Sequence, residues 1–160
     1  MSVRDQEWLK KELEYLLKKY FANVAVTNPI EIRFGREAKY RFGSIRLVVD
    51  KSSKSIRSIK GFKGLIRASN IPKKSIITIT RMFAADEVPV EVVRYTIAHE
   101  LCHYHHGFSS SNKRLFRFPH HGGVINRELT ERGAEELIDP FKKWLKEYRK
   151  KILEGRAKID

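Results

Sequence analysis

The chain has little cysteine, no long apolar run and no acidic residue across a long central stretch. Because Cys102 is the only cysteine among 160 residues, a disulfide framework is excluded and a reducing compartment is expected. No apolar run reaches the roughly 18 residues that a membrane span needs, and residues 1–6 lack the pattern of a signal peptide. We therefore expect a soluble, cytoplasmic protein with no membrane partner.

The remaining composition is that of a folded domain. Hydrophobic residues make up 41 % of the chain and charged residues 32 %, which is typical of globular rather than disordered proteins. The length supplies one sizeable core, and we find no internal repeat and no long linker. These features predict a single domain spanning residues 1–160.

All six histidines lie between His99 and His121, and the first two belong to the string HELCH at residues 99–103, an HExxH motif. On a helix the i, i+4 spacing places both imidazoles on one face, where they can bind one metal ion. Glu100 then stands beside that ion. The motif predicts a zinc site with His99 and His103 as ligands and Glu100 as the catalytic base.

A catalytic zinc needs a third protein ligand from elsewhere in the chain. Our first choice is His121, in the turn-rich segment 116–123, because such a loop can carry an imidazole back across the helix. His120 is the close alternative. Glu128 or Glu131 is another if a following helix supplies a carboxylate, since zinc accepts nitrogen and oxygen donors.

Hydrophobic spacing predicts an α+β fold. Helical periodicity covers residues 5–21 and 90–106, and again 127–138 and 139 to about 153, while residues 30–34, 44–49 and 75–80 have the pattern of strands. We expect a small mixed β-sheet packed against an N-terminal helix, an HExxH active-site helix and C-terminal helices. Gly107 is the natural stop of the active-site helix.

Basic residues dominate the charge. Thirty-three lysines and arginines face nineteen acidic residues, a formal net charge of +14, and the stretch from Lys51 through Ala85 holds nine basic residues and no acidic one. A second basic run, beside the loop of the third ligand, is interleaved with apolar and aromatic side chains. Such cations neutralise phosphates while rings stack on unpaired bases, so the pattern predicts DNA or RNA as a partner. The residues predicted to bind nucleic acid are Lys51, Lys54, Arg57, Lys60, Lys63, Arg67, Lys113, Arg114 and Arg117.

The run VVRYTIAHELCH at residues 92–103, followed by HGG at 121–123, resembles the SprT-like metallopeptidase domain and its minimal-gluzincin relatives. In that family the histidine of "HG" is the third zinc ligand, which implies His121 here. The resemblance also implies a small sheet beside the metal helix and proteolysis of proteins bound to DNA. The chain lacks the cysteine-rich zinc ribbon of some members, and Gly123, Val124 and Ile125 replace their usual acidic and aromatic residues.

Two classes of function follow. The first is a zinc-dependent metallopeptidase that hydrolyses proteins associated with DNA or other nucleic acid, with Tyr104 or Arg117 near the developing oxyanion. The alternative is a non-catalytic nucleic-acid or ribonucleoprotein binding module with a structural zinc, for which His106 or His120 would be a fourth ligand. A nucleotide-hydrolysing relative on the same metal scaffold is a further alternative.

Overall fold

The computed structural model describes residues 3–50 and 72–157, which form an α+β fold, as the sequence predicts. Within these ranges, three short 3₁₀ segments connect the main elements, at Arg81–Ala84, His121–Gly123 and Glu135–Leu137. The helices and strands are α1 (Gln6–Tyr20), β1 (Ile30–Phe34), β2 (Gly43–Val49), β3 (Lys73–Ile79), α2 (Val90–His105), α3 (Val124–Glu131) and α4 (Ile138–Ala157).

The three strands form one small mixed sheet in the order β1-β3-β2. β3 lies in the centre, parallel to β1 and antiparallel to β2, with Ile77 opposite both Ile32 and Ile45. The central position explains why β3 carries three buried isoleucines, Ile76, Ile77 and Ile79. β2 therefore forms one edge of the described sheet.

Helix α1 begins where the side chain of Asp5 accepts a hydrogen bond from the backbone N–H of Trp8, at 2.8 Å. Such a cap stabilises a helix end by about 1 kcal/mol. Leu9, Leu13 and Leu16 recur at helical spacing and are buried in the core, which gives α1 its amphipathic face. The helix packs against β1.

Helix α2 is buried along most of its length, and it ends as predicted at Gly107, which has a φ of +83°. The backbone N–H of Phe108 donates to the carbonyl of His103, and that of Gly107 donates to Tyr104, which is the Schellman arrangement. Cys102 lies wholly within the core, and burial raises the pKa of its thiol, so its role is packing.

Aromatic side chains fasten α4 to the rest of the fold. Phe42, just before β2, packs on Phe83 with 5.4 Å between ring centroids and on Trp144 at the same separation. Phe141 stacks on Tyr95 of α2 with centroids 4.0 Å apart. These contacts place the predicted apolar side of the C-terminal helix against α2 and against Phe42, which immediately precedes β2.

The predicted helix over residues 127–138 differs from the structure. α3 begins earlier, at Val124, and ends at Glu131, because Gly133 takes a left-handed φ of +77°. The N–H of Ala134 donates to Leu129 and that of Gly133 to Thr130, a second Schellman ending. Within the described ranges, no helix is long and apolar enough to cross a membrane.

Candidate metal centre

Three imidazoles converge at the solvent side of α2. The Nε2 atom of His120 lies 3.1 Å from Nε2 of His99 and 3.0 Å from Nε2 of His103. His99 and His103 are one helical turn apart, so their rings project from the same face, and His120 reaches them from the loop after α2. In the described part of the chain, these three form the group of donors suited to a metal ion.

The donor set fits a tetrahedral zinc ion. Zinc–nitrogen bonds of 2.0–2.1 Å at tetrahedral angles put two ligand nitrogens about 3.3 Å apart. The two separations from His120, 3.1 and 3.0 Å, need only a small outward adjustment to reach that value, and all three donor atoms lie within 4.8 Å of one another. Three imidazoles also leave one tetrahedral position open for water or substrate.

The surroundings of His99 and His103 keep both of these imidazoles neutral. Burial lowers the pKa of His99 to about 4, with a further contribution from His120. Burial, together with His99, His120 and His106, lowers the pKa of His103 to about 3. A neutral imidazole has a nitrogen lone pair for a metal, so the rings of His99 and His103 are in the ligating form at neutral pH.

Glu100 is buried beside this group, with 6 % of its surface exposed. Burial raises the pKa of its carboxyl to about 7, and the positive charge of Arg41 opposes the shift. A pKa near neutrality suits a group that both accepts and returns a proton. A bound divalent cation would move this pKa downward, because it favours the carboxylate.

Several contacts hold the loop that carries His120. The N–H of Leu115 donates to the carbonyl of His106 at 2.9 Å, where the loop passes close to Gly107. The hydroxyl of Ser110 and the amide of Asn112 both donate to the carbonyl of Tyr104. The start of the loop is thus tied to the end of α2.

The geometry favours His120 over His121, which was the first choice from the sequence and from the family resemblance. His121 is exposed and begins a 3₁₀ turn, and its ring centroid lies 6.1 Å from that of Phe118. It is not a member of the three-imidazole group. The side chains of His120 and His121 point in different directions because the chain enters a 3₁₀ turn at His121, followed by Gly122 with a left-handed φ of +67°.

The other suggested ligands lie elsewhere. Glu128 accepts hydrogen bonds from Arg132, and its Oε1 lies 3.7 Å from Nε2 of both His105 and His106. Glu131 is exposed on α3. His106 is buried against Phe116 and is outside the three-imidazole group, so the structure does not bring it there as a fourth ligand.

Of the residues suggested for the oxyanion, Tyr104 is occupied in the core. Its hydroxyl donates to the carbonyl of Asn28 at 2.6 Å and accepts from the N–H of the same residue. Arg117 is exposed and packs over Phe118. Arg41, which was not predicted from the sequence, lies beside Glu100. It belongs to no motif, and only the packing of β2 against α2 brings it close to Glu100.

Three of the predicted nucleic-acid contacts, Lys113, Arg114 and Arg117, are exposed on the loop that leads to His120. Leu115, Phe116 and Phe118 between them are also exposed. The other six, Lys51, Lys54, Arg57, Lys60, Lys63 and Arg67, lie outside the described residues.

Two cavities adjoin the site and share His99, Glu100, Arg41 and Gly43. The cleft, of about 420 Å³, is lined by the three imidazoles, by residues 43–45 of β2 and by residues 108, 109 and 119 of the loop. The aromatic pocket, of about 250 Å³, is lined by side chains from the start of β2, from α2 and from α4. Its rings are those of Tyr40, Phe42, Tyr95 and Phe141.

We found no match to this chain among protein-family models, curated proteins or solved structures. Function is therefore inferred from the chemistry and geometry of the site.

Proposed function

We propose that this chain is a zinc-dependent metallopeptidase that hydrolyses proteins associated with nucleic acid. The observation that carries the proposal is the convergence of three Nε2 atoms, from His99, His103 and His120, beside the buried carboxyl of Glu100. Three nitrogen ligands with an open position are typical of catalytic zinc, whereas structural zinc sites are closed by four.

The chemistry divides between the ion and the side chains. Zinc held by the three imidazoles would supply Lewis acidity and activate water as a nucleophile. Glu100 accepts the proton of the water that attacks the peptide carbonyl, and then returns that proton to the leaving amine nitrogen. The guanidinium of Arg41 supplies positive charge near the carbonyl oxygen as it becomes negative.

A polypeptide substrate is supported by the edge of the sheet. β2 pairs with β3 on one side, and among the described strands none pairs with its other side. Gly43, Ser44 and Ile45 line the cleft, so backbone groups of this edge lie close to His99 and Glu100. An extended peptide binds to such an edge through main-chain hydrogen bonds.

The association with nucleic acid is supported by charge. Lys113, Arg114 and Arg117 are exposed on the same loop as His120, alternating with exposed Phe116 and Phe118. Cations and rings in alternation suit the phosphates and bases of a single strand. A protein bound to that strand would be held near the cleft.

Replacement of Glu100 by glutamine tests the proposal. Glu100→Gln keeps the size of the side chain and the three imidazoles but removes the proton acceptor, so hydrolysis of an unfolded protein should fall by at least about a hundredfold. Zinc content, measured by elemental analysis, should stay the same. Glu91→Gln, at an exposed residue in the first turn of α2, is the matched control and should keep full activity.

The assays are run with and without single-stranded DNA. If the parent protein hydrolyses nothing in either condition, or if Glu100→Gln is as active as the parent, the peptidase mechanism is refuted. Zinc bound without hydrolysis would instead support the non-catalytic binding module.

A further inference from the structure

The aromatic pocket opens directly beside His99 and Glu100, which line both it and the cleft. A side chain that enters the pocket from a peptide in the cleft would therefore keep its backbone next to the proposed proton acceptor. The pocket includes Phe141, which α4 contributes and which lies outside the HExxH motif.

The walls of the pocket are held by contacts among themselves. Tyr95 and Phe141 stack with centroids 4.0 Å apart and planes 18° from parallel, and Phe42 meets Phe141 edge-on at 6.4 Å. The hydroxyl of Tyr95 donates to the side-chain oxygen of Asn126 at 2.7 Å. The hydroxyl of Tyr95 therefore has a hydrogen-bond partner outside the pocket, and ring contacts hold the largely aromatic walls in place.

The size and chemistry of the pocket select its occupant. An apolar cavity of about 150 Å³ holds a benzene ring, and this pocket, at about 250 Å³, has room for a phenyl or phenol ring or a large aliphatic chain. An acidic side chain would meet the carboxyl of Glu100, and an ion pair with Arg41, which also lines the pocket, would withdraw the positive charge proposed to act on the carbonyl oxygen. A basic side chain would be costly to bury unless it formed an ion pair with Glu100. That ion pair would prevent Glu100 from accepting the proton of the attacking water.

We propose that the aromatic pocket determines specificity by accepting one aromatic or large aliphatic side chain of the polypeptide in the cleft. The peptide bond next to that side chain is then the one presented to Glu100. This inference rests on the proposed peptidase function, but it concerns binding and is tested first without hydrolysis.

The first test measures peptide binding to the Glu100→Gln protein, in which hydrolysis is expected to be at least about a hundredfold slower than in the parent. The probes are two fluorescein-labelled glycine-serine dodecapeptides that differ at one central position, phenylalanine or alanine. Binding followed by fluorescence anisotropy to millimolar protein should be at least about tenfold tighter for the phenylalanine peptide, because a buried ring removes more apolar surface from water than a methyl group does.

Two further variants of the Glu100→Gln protein test whether the aromatic pocket causes the preference for the phenylalanine peptide. Phe141→Ala removes one wall, and Tyr40→Ala removes a side chain at the mouth that is 66 % exposed, so folding should survive the second change. Each should reduce the preference at least about threefold, as expected for partial loss of apolar contact. Leu145 also lies on α4 but lines a separate cavity, so Leu145→Ala is the matched control and should keep the preference for the phenylalanine peptide.

Equal binding of the two peptides, including binding of neither, overturns the pocket proposal, as does a preference that survives both Phe141→Ala and Tyr40→Ala. If Phe141→Ala does not fold, Tyr40→Ala alone decides.

Products of the parent protein acting on an unfolded substrate, identified by mass spectrometry, should carry an aromatic or large aliphatic residue at one fixed position from the cut. Cleavage with no such preference overturns the pocket proposal and leaves the peptidase proposal standing. A binding preference without cleavage supports the pocket and overturns the peptidase.

Discussion

His120 and His121 are neighbours in the chain, but His120 is the one that brings a ring nitrogen to the other two imidazoles. We expect His120→Ala to lose most of its bound zinc and His121→Ala to keep it, because removing one of three ligands leaves too few donors. Elemental analysis after dialysis against a low concentration of zinc measures both.

The two changes are closely matched, since each removes one exposed imidazole from the same loop. His99→Ala is the positive control for loss of metal. Retention of zinc by His120→Ala together with its loss from His121→Ala would reverse the assignment and restore the histidine that the family resemblance implies.

At the scale of single residues, the sequence predicts what the helix period determines. His99 and His103 are four positions apart on α2, so their proximity follows from the helix alone. His120 and Arg41 depend on the path of a loop and on the approach of β2 to α2, and no local spacing encodes either. The sequence offers His120 only as an alternative to His121 and gives no sign of Arg41, because the choice between the histidines and the position of Arg41 depend on how distant segments pack together.

At the scale of elements, β2 and α2 approach each other closely at Gly43. A β-carbon there would lie 2.7 Å from Cγ2 of Thr96 and 3.2 Å from Oε1 of Glu100. We expect Gly43→Ala to lower the free energy of unfolding by about 1–3 kcal/mol, since overpacking forces neighbours apart. It should also reduce hydrolysis, because Glu100 is one of those neighbours. Urea unfolding and peptidase assays measure the two effects.

Gly155→Ala is the matched control for this change. No atom lies within 4 Å of a β-carbon at Gly155 in α4, and alanine is a better helix former than glycine, so this variant should be as stable as the parent or slightly more stable. Gly43→Ala protein with parental stability and activity would show that β2 and α2 are not in close contact.

Element bounds follow from the sequence where a local signal is strong. The predicted strand at 30–34 has the bounds that the structure gives, and Gly107 ends α2. The break between the last two helices was predicted at Asp139-Pro140, which is wrong because Gly133 ends α3. Asp139 and Pro140 instead lie within the first turn of α4. The strand order β1-β3-β2 arises from long-range pairing, which periodicity does not specify.

At the scale of the whole molecule, the excess of positive charge is the feature that acts over distance. A formal charge of +14 favours encounter with polyanions, and exposed cations on the loop of His120 would bring the proposed nucleic-acid partner close to the cleft. The sequence predicts the charge itself without any structure. Which cations meet phosphates depends on their arrangement in space.

Salt dependence measures how many of these cations take part. Each neutralised phosphate contributes about −0.7 to −0.9 to the slope of log affinity against log salt concentration, so contact by all nine predicted residues gives about −6 to −8. Changing Lys113, Arg114 and Arg117 together to glutamine should make the slope shallower by about 2 to 3. The same change at Lys10, Lys11 and Lys18, exposed on α1, removes equal net charge and should leave the slope nearly unaltered. If both triple variants lower affinity equally, net charge alone explains the binding, and the loop beside His120 has no special part in it.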